Sequence, residues 1–273
     1  MSFLHTFEPQ AILLSYGPIT IYWYGLFIVL GILTALAISF QLAKYYNLTT
    51  DIIFDLSFCL IIGGIIGARL YDIFLQLPYY YQHPWQTLAI WKGGLAIHGG
   101  LIAGLFIVWN FARRKQINFW RLGAILAPGL AIAQSIGRWG NYFNQELFGL
   151  PTNLPWGIPI NLINRPWQYI NSPFFQPTFL YESLGCLIIG LALIIWNFYA
   201  IKNKKNDHNF QVCSVSVYMI SYSILRFSLE FIRIDEAPVV WGLRWPQLAS
   251  LVIIAAFVLL LTKSHAKIQK TIS

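Results

Sequence analysis

Residues 19–43 read Ile19-Thr20-Ile21-Tyr22-Trp23-Tyr24-Gly25-Leu26-Phe27-Ile28-Val29-Leu30-Gly31-Ile32-Leu33-Thr34-Ala35-Leu36-Ala37-Ile38-Ser39-Phe40-Gln41-Leu42-Ala43. No residue in this run is charged, and the first Lys or Arg of the chain, Lys44, follows it directly. A helix needs about 20 apolar residues to cross the hydrocarbon of a bilayer, so the run predicts a membrane span. No basic segment precedes it and no small-residue cleavage site follows it. A retained first helix is therefore expected, not a cleaved signal peptide.

Six further apolar runs lie near 52–76, 94–112, 120–137, 177–199, 210–231 and 246–262. Of the seven, the second span (52–76) carries Asp55, Arg69 and Asp72, and the sixth (210–231) carries Arg226 and Glu230. The chain is 57% hydrophobic and only 10% charged, with a mean hydropathy of +0.59. Soluble domains carry about a quarter charged residues. The expected fold class is all-α: a polytopic membrane protein of seven transmembrane helices, one integral-membrane domain over 1–273, with an outer loop subdomain. The net charge of +8 sits in short clusters between the spans, which fits a membrane surface and no nucleic-acid partner. Cys59, Cys186 and Cys213 have neither metal-site spacing nor an even count, and read as small buried hydrophobes.

Charge sets the expected orientation. Lys44, Arg113, Arg114, Lys115, Arg121, Lys202, Lys204, Lys205, Lys263, Lys267 and Lys270 fall on one side, eleven in all, against Lys92, Arg138, Arg165, Arg233 and Arg244 on the other. The positive-inside rule puts the richer side in the cytoplasm, with the N-terminus outside and the C-terminus inside, as an odd span count requires. The longest connection, 138–176, is then outer. Its five prolines and its tryptophans suggest an ordered loop or short subdomain on the membrane. Segment 77–92, with three consecutive tyrosines and Trp85, reads as a second interfacial piece. No internal repeat suggests a transporter built from two halves.

Polar residues inside apolar spans are costly and point to function. The densest group is Gly137-Arg138-Trp139-Gly140-Asn141-Tyr142-Phe143-Asn144-Gln145-Glu146-Leu147-Phe148-Gly149. Its arginine fork suits a phosphate; an Arg138–Glu146 pair that shapes the loop is the bland alternative, which leaves Asn141, Asn144 and Gln145 unexplained. Lys92-Gly93-Gly94-Leu95-Ala96-Ile97-His98-Gly99-Gly100 puts a histidine with little steric cover at the end of the third span. This motif alone leaves open whether His98 meets a ligand or is a hydrogen-bonded packing residue. The pairs Gly100/Gly104 and Gly63/Gly67 read as helix-packing devices. Tyr222, Arg226, Glu230 and Arg233, spaced 4, 4 and 3, would share one helix face, with a positive charge to spare or internal salt bridges. Gln176-Pro177-Thr178-Phe179-Leu180-Tyr181-Glu182-Ser183 opens the fifth span. There Glu182 would either orient an arginine or cap the helix. Tyr22-Trp23-Tyr24-Gly25 reads as an aromatic belt, and Arg69 with Asp72 as a self-neutralising pair. His98, Arg138, Glu182 and Arg226 all fall on the outer side, the pattern of a site for an anionic phospholipid headgroup.

These stretches, together with Arg226-Phe227-Ser228-Leu229-Glu230-Phe231-Ile232-Arg233 and Tyr24-Gly25, resemble the bacterial prolipoprotein diacylglyceryl transferases, in the same order from the first span to the last. The resemblance implies a seven-span inner-membrane enzyme with a periplasmic head. Such an enzyme moves the diacylglyceryl group of phosphatidylglycerol to the lipobox cysteine of a prolipoprotein signal peptide and releases glycerol phosphate. It implies that Arg138 and Arg226 are the essential arginines; as catalytic groups they would hold the phosphate, and His98, or a base near it, would take the thiol proton. His98, Tyr24, Asn141, Glu146, Gly149, Tyr222 and Glu230 match other residues important in the family, and Tyr24, Asn141, Glu146, Gly149, Tyr222 and Glu230, with Tyr181, Glu182 and Arg233 in the same motifs, are expected to bind substrate. Gln176 stands where the family often has His, and Ala124 where some members have Asp. No metal or cofactor is expected. The rival readings are a non-catalytic phospholipid transporter or scramblase, then a polyprenyl-phosphate transferase, which would want the paired acidic motif absent here, and last a channel.

Overall fold

The computed structural model describes residues 3–17 and 19–272, without the side chains of Phe3, Ile19, Lys92 and 264–272. Lys92, Lys267 and Lys270, counted in the charge balance, thus have side chains outside the described residues. In chain order the elements are α1 (Phe3–Thr6), β1 (Ile12–Tyr16), β2 (Ile19–Tyr22), α2 (Trp23–Tyr45), α3 (Thr50–Leu75), α4 (Leu77–Gln82), α5 (Ile97–Arg114), α6 (Phe119–Phe143), β3 (Ile158–Pro159), β4 (Phe174–Phe175), α7 (Thr178–Lys202), α8 (His208–Leu229), β5 (Val239–Val240), β6 (Leu243–Arg244) and α9 (Trp245–Ile272). Short 3-10 turns occupy 84–92 and 162–169.

A helix stands at each of the seven apolar runs. Six of them, α2, α3, α6, α7, α8 and α9, are long and apolar enough to cross a membrane. The seventh, α5, has 18 residues and includes His98, Asn110, Arg113 and Arg114, which lower its hydropathy. The helices expose large apolar side chains such as Phe74, Ile188, Ile195 and Val252. Soluble monomers rarely expose continuous apolar surface on this scale. The chain is a multi-pass membrane protein, predominantly helical.

Three expected boundaries move by four residues or more: α9 runs to Ile272, ten residues past its expected end, and two others bear on the site. The first helix starts at Trp23, not Ile19, because Ile19–Tyr22 forms a strand antiparallel to β1. β-branched and aromatic residues favour that pairing, and Gly17, at φ +57°, makes the turn. The fourth helix runs to Phe143, so Arg138 and Asn141 stand on its last turns and not in a loop. Cys186 is buried and Cys213 half-buried, as small hydrophobes would be, but Cys59 is exposed on α3.

The chain divides into two units. One, residues 39–125, contains α3, α4 and α5. Its helices touch through glycines: a side chain on Gly67 would strike Ala103 and sit 2.8 Å from the Gly99 carbonyl, and one on Gly63 would strike Ile107. Gly100 and Gly104 leave ordinary van der Waals contact with α3. The expected packing role of these glycines holds. Asp55 meets Lys115 at 3.9 Å with both side chains half exposed, a weak surface pair.

The other unit comprises residues up to 38 and from 126 onward. Gly129 packs on Ala35 and Gly31 on Ala133, where a Cβ would fall 2.8 Å and 3.1 Å from a backbone oxygen. Ala127, Ala131, Leu193 and Tyr218 form one buried cluster. A second core, Tyr142, Phe148, Ile158, Ile160, Phe175 and Phe179, fills the segment after α6. Strands β3 and β4 pair across it, and bridges join Gly149 to Arg233 and Pro151 to Phe175. The 144–176 segment is therefore packed on the ends of α6 and α7 through a shared apolar core.

Candidate active site

The last turns of α6 present Arg138 and Asn141 three residues apart, on one face. The Arg138 guanidinium donates to Asn141 Oδ1 (3.1 Å) and to Glu182 Oε1 (2.6 Å). Asn141 then donates to Glu146 Oε1 (2.7 Å). Arg138 and Glu146 are thus linked through an asparagine and do not form the direct pair weighed from the sequence. The helix ends in a left-handed residue, Gln145 at φ +51°, a conformation that closes helices but strains most side chains. Its amide offsets that strain: Nε2 donates to the Pro9 carbonyl (2.8 Å), and Oε1 accepts from the Asn161 amide (2.7 Å). Gln145, grouped with the polar cluster in the sequence, ties the segment before β1 to the 144–176 segment.

Glu182 lies in the first turns of α7 with a side chain only 2% exposed. Its two oxygens meet three partners: Arg138, the Tyr222 hydroxyl at 3.1 Å, and Arg233 at 3.9 Å. That settles the open choice, because Glu182 orients arginines and makes no helix cap. Tyr181 takes a different direction, accepting a hydrogen bond from Trp156 Nε1 (2.8 Å).

The polar stripe of the sixth span is corrected in its second half. Tyr222 and Arg226 lie one turn apart on α8, but the helix stops at Leu229. Glu230 is its C-cap residue, and Arg233 bridges to Gly149. The helix cannot continue because its exit is tied to another strand: the Leu150 amide donates to the Ile232 carbonyl (2.8 Å). Gly149 sits at that junction. A Cβ there would lie 2.9 Å from both the Ile232 carbonyl and the Thr178 methyl, so only glycine fits unstrained. Thr178 hydrogen-bonds the Leu147 carbonyl, and the Gly149 amide donates to Gln176 O (2.9 Å). The backbone of Gln176 thus holds the junction.

Glu230 has a fully buried side chain. Arg226 hydrogen-bonds its Oε2, and Arg233 stands 3.9 Å from the same oxygen. Arg233 Nε also binds Asp235 Oδ1 (2.7 Å). Burial pulls the Asp235 carboxyl upward, but the Arg233 hydrogen bond and the charges of Arg233, Arg244 and Arg226 outweigh it and hold the group below the usual aspartate range. Asp235 and Arg244 were not singled out in the sequence. Arg244 counted only as an outer-side charge, and nothing in its spacing connects it with Glu230.

Tyr24 joins this unit as more than a belt residue. Its ring lies against Gly140, where a Cβ would come within 3.0 Å of a ring carbon. Tyr24, Gly25 and Asn144, with Thr20, Ile21, Tyr22 and Leu26, line an open cleft of about 490 Å³. Of the twelve proposed site residues, eleven fall in this unit, and His98 falls in the other. There it is exposed at the start of α5, its ring 6.1 Å from that of Tyr71.

Arginines 138 and 226 keep 22% and 18% of their side chains exposed, while the carboxylates they grip are buried. The two pairs are linked through Arg233, which stands 3.9 Å from both Glu182 and Glu230. A family model described as prolipoprotein diacylglyceryl transferase matches residues 11–263. The chain belongs to this family. A relative from Nostoc sp., named phosphatidylglycerol–prolipoprotein diacylglyceryl transferase, is 41% identical over 93% of this chain and 89% of its own. One of the same name from Synechococcus elongatus is 42% identical over 92% and 86%. Another from Prochlorococcus marinus is 43% identical over 84% and 80%.

Proposed function

We propose that this chain transfers the diacylglyceryl group of phosphatidylglycerol to the lipobox cysteine thiol of prolipoproteins, the first step of bacterial lipoprotein maturation. The observation that carries the reading is the pair of partly exposed guanidinium groups, Arg138 and Arg226, each held from behind by a buried carboxylate. Family membership supports it. The peptide's thiolate attacks the terminal glyceryl carbon of the lipid. A C–S bond forms, the C–O bond to phosphate breaks, and glycerol phosphate leaves with one more negative charge. Arg138 and Arg226 bind the phosphate and stabilise that charge, a preorganised electrostatic role worth several kcal/mol. Tyr24, Asn141, Glu146, Gly149, Tyr181, Glu182, Tyr222, Glu230 and Arg233 shape and hold the substrate site. His98 takes the thiol proton, since only the thiolate is strongly nucleophilic. Its exposure among glycines supports that role.

The chain acts as one transferase domain in the bacterial inner membrane, crossing seven times, N-terminus periplasmic and C-terminus cytoplasmic. At 1.5 Å per residue α5 reaches about 27 Å, close to the hydrocarbon thickness, with Arg113 and Arg114 able to reach headgroups from its last turn. The 138–176 segment then forms the periplasmic head. The test is direct: purified protein, phosphatidylglycerol vesicles and a lipobox peptide are incubated and the peptide is weighed. A gain of one diacylglyceryl group on its cysteine is expected. Lipid movement between leaflets with no covalent product would favour the transporter reading. Replacing His98 with Asn should lower turnover about 100-fold or more and flatten its pH profile; an unchanged profile removes His98 as the base.

A further inference from the structure

We infer that Arg244 is a positioning residue that leaves Arg226 its positive charge for an anionic headgroup. Glu230 poses the problem. Its carboxylate is wholly buried and hydrogen-bonded to Arg226. Such a pair taken alone neutralises the arginine, and a neutralised guanidinium attracts a phosphate poorly. Arg244, which reaches the turn from strand β6, changes the balance. Its Nε stands 3.1 Å from Glu230 Oε1, on the oxygen opposite to Arg226. The contact is one of charge: the angle is wrong for a hydrogen bond, and Oε1 has no other partner among the described residues.

The guanidinium is held independently of that carboxylate. One nitrogen donates to the carbonyls of Arg233 (2.6 Å) and Glu230 (3.3 Å), and the other to the carbonyl of Asp235. Its backbone is fixed as well. The β5–β6 turn has two left-handed residues, Trp241 at φ +52° and Gly242 at φ +78°, the geometry of a tight hairpin. The Arg244 amide then donates to Gln247 Oε1 (3.0 Å). Four arginines, 138, 226, 233 and 244, thus face three carboxylates, Glu182, Glu230 and Asp235. The network keeps one positive charge in excess, and without Arg244 it would keep none. Glu230 can then aim Arg226 without cancelling it.

This inference rests on the reading that Arg226 binds the lipid phosphate, so both are tested together in phosphatidylglycerol vesicles with a lipobox peptide. Wild type should transfer and R226Q should not; transfer by R226Q overturns that underlying reading. With that control in place, R244Q should raise KM for phosphatidylglycerol about tenfold while kcat changes far less, the mark of lost ground-state binding. R244K should keep most of the affinity. Adding D235N to R244Q restores the excess charge and should recover much of the lost KM, which a purely structural role would not allow. An unchanged KM in R244Q overturns the inference, and so does a failure of D235N to recover it. Should R244Q fail to fold, D235N alone decides: its KM should fall about threefold, and a KM that stays or rises overturns the inference.

Discussion

Arg138 and Arg69 are both arginines on apolar helices beside a buried carboxylate, yet their forks are spent differently. Arg69, in the 39–125 unit, is only 8% exposed and stands 3.8 Å from Asp72. Its nitrogens are taken by backbone carbonyls: Thr87 (3.0 Å), Gly93 (2.7 Å), Gly94 (2.8 Å) and Gln86. Asp72 is occupied by the Tyr80 hydroxyl (2.7 Å) and by Gln76 (3.1 Å). Gly94, at φ +75°, leaves the space this needs, since a side chain there would strike the Arg69 guanidinium. The expected self-neutralising pair is real, but its larger role is to pin the 84–94 segment. Arg138 has one carboxylate and one asparagine as partners and keeps 22% of its side chain exposed. A charge in a membrane helix can be a clamp or a binding group, and the spare donors tell the two apart.

The comparison can be broken in three ways. The largest effect is expected at Arg138. R138Q should reduce diacylglyceryl transfer about 100- to 1,000-fold and still fold, because Glu182 keeps Tyr222 and Arg233. Full transfer by R138Q would put Arg138 with the clamps. R69Q should do the opposite. It leaves four carbonyls without their donor and Asp72 without its countercharge, costing about 3–5 kcal/mol of stability, and the unfolding temperature in detergent should drop while the folded fraction still transfers. A stable but inactive R69Q would move Arg69 into the active machinery.

The smallest effect concerns Asp235. Its carboxyl is held below the usual range, so its stabilising contribution is fully present above the ordinary aspartate value and fades as pH falls through the lower folded one. Wild type should therefore unfold at a higher temperature than D235N at pH 6, and the gap should begin to close only below about pH 4. A gap that persists into acid would mean that Asp235 acts by shape and not by charge.

Much of this was legible before the fold. Apolar length marks spans one residue at a time, so α3, α7, α8 and α9 begin within two residues of their runs. The polar cluster around Arg138 and the start of the fifth span also stood out against apolar surroundings. The errors fell where neighbours in space override local pattern. Ile19–Tyr22 is apolar enough for a span but pairs with β1. The helical spacing of Tyr222, Arg226, Glu230 and Arg233 breaks at Leu229, because Gly149 and Leu150 take up the chain beyond it. Asp235 lies in a charged turn and Arg244 on a two-residue strand, both outside the apolar spans where a charge would stand out, so no local signal marks them.

By itself the sequence determined a membrane-spanning helical chain, the places of its helices and the few polar side chains it carries through an apolar medium. Hydrophobic transfer depends on each residue's own surface, and this information is local. Only the tertiary structure decided which charges hold one another. The Arg138–Glu182 contact joins residues 44 apart, and Arg244 reaches Glu230 by the return of a hairpin. A guanidinium's remaining capacity to bind an anion is the difference between its donors and the partners the fold brings to it.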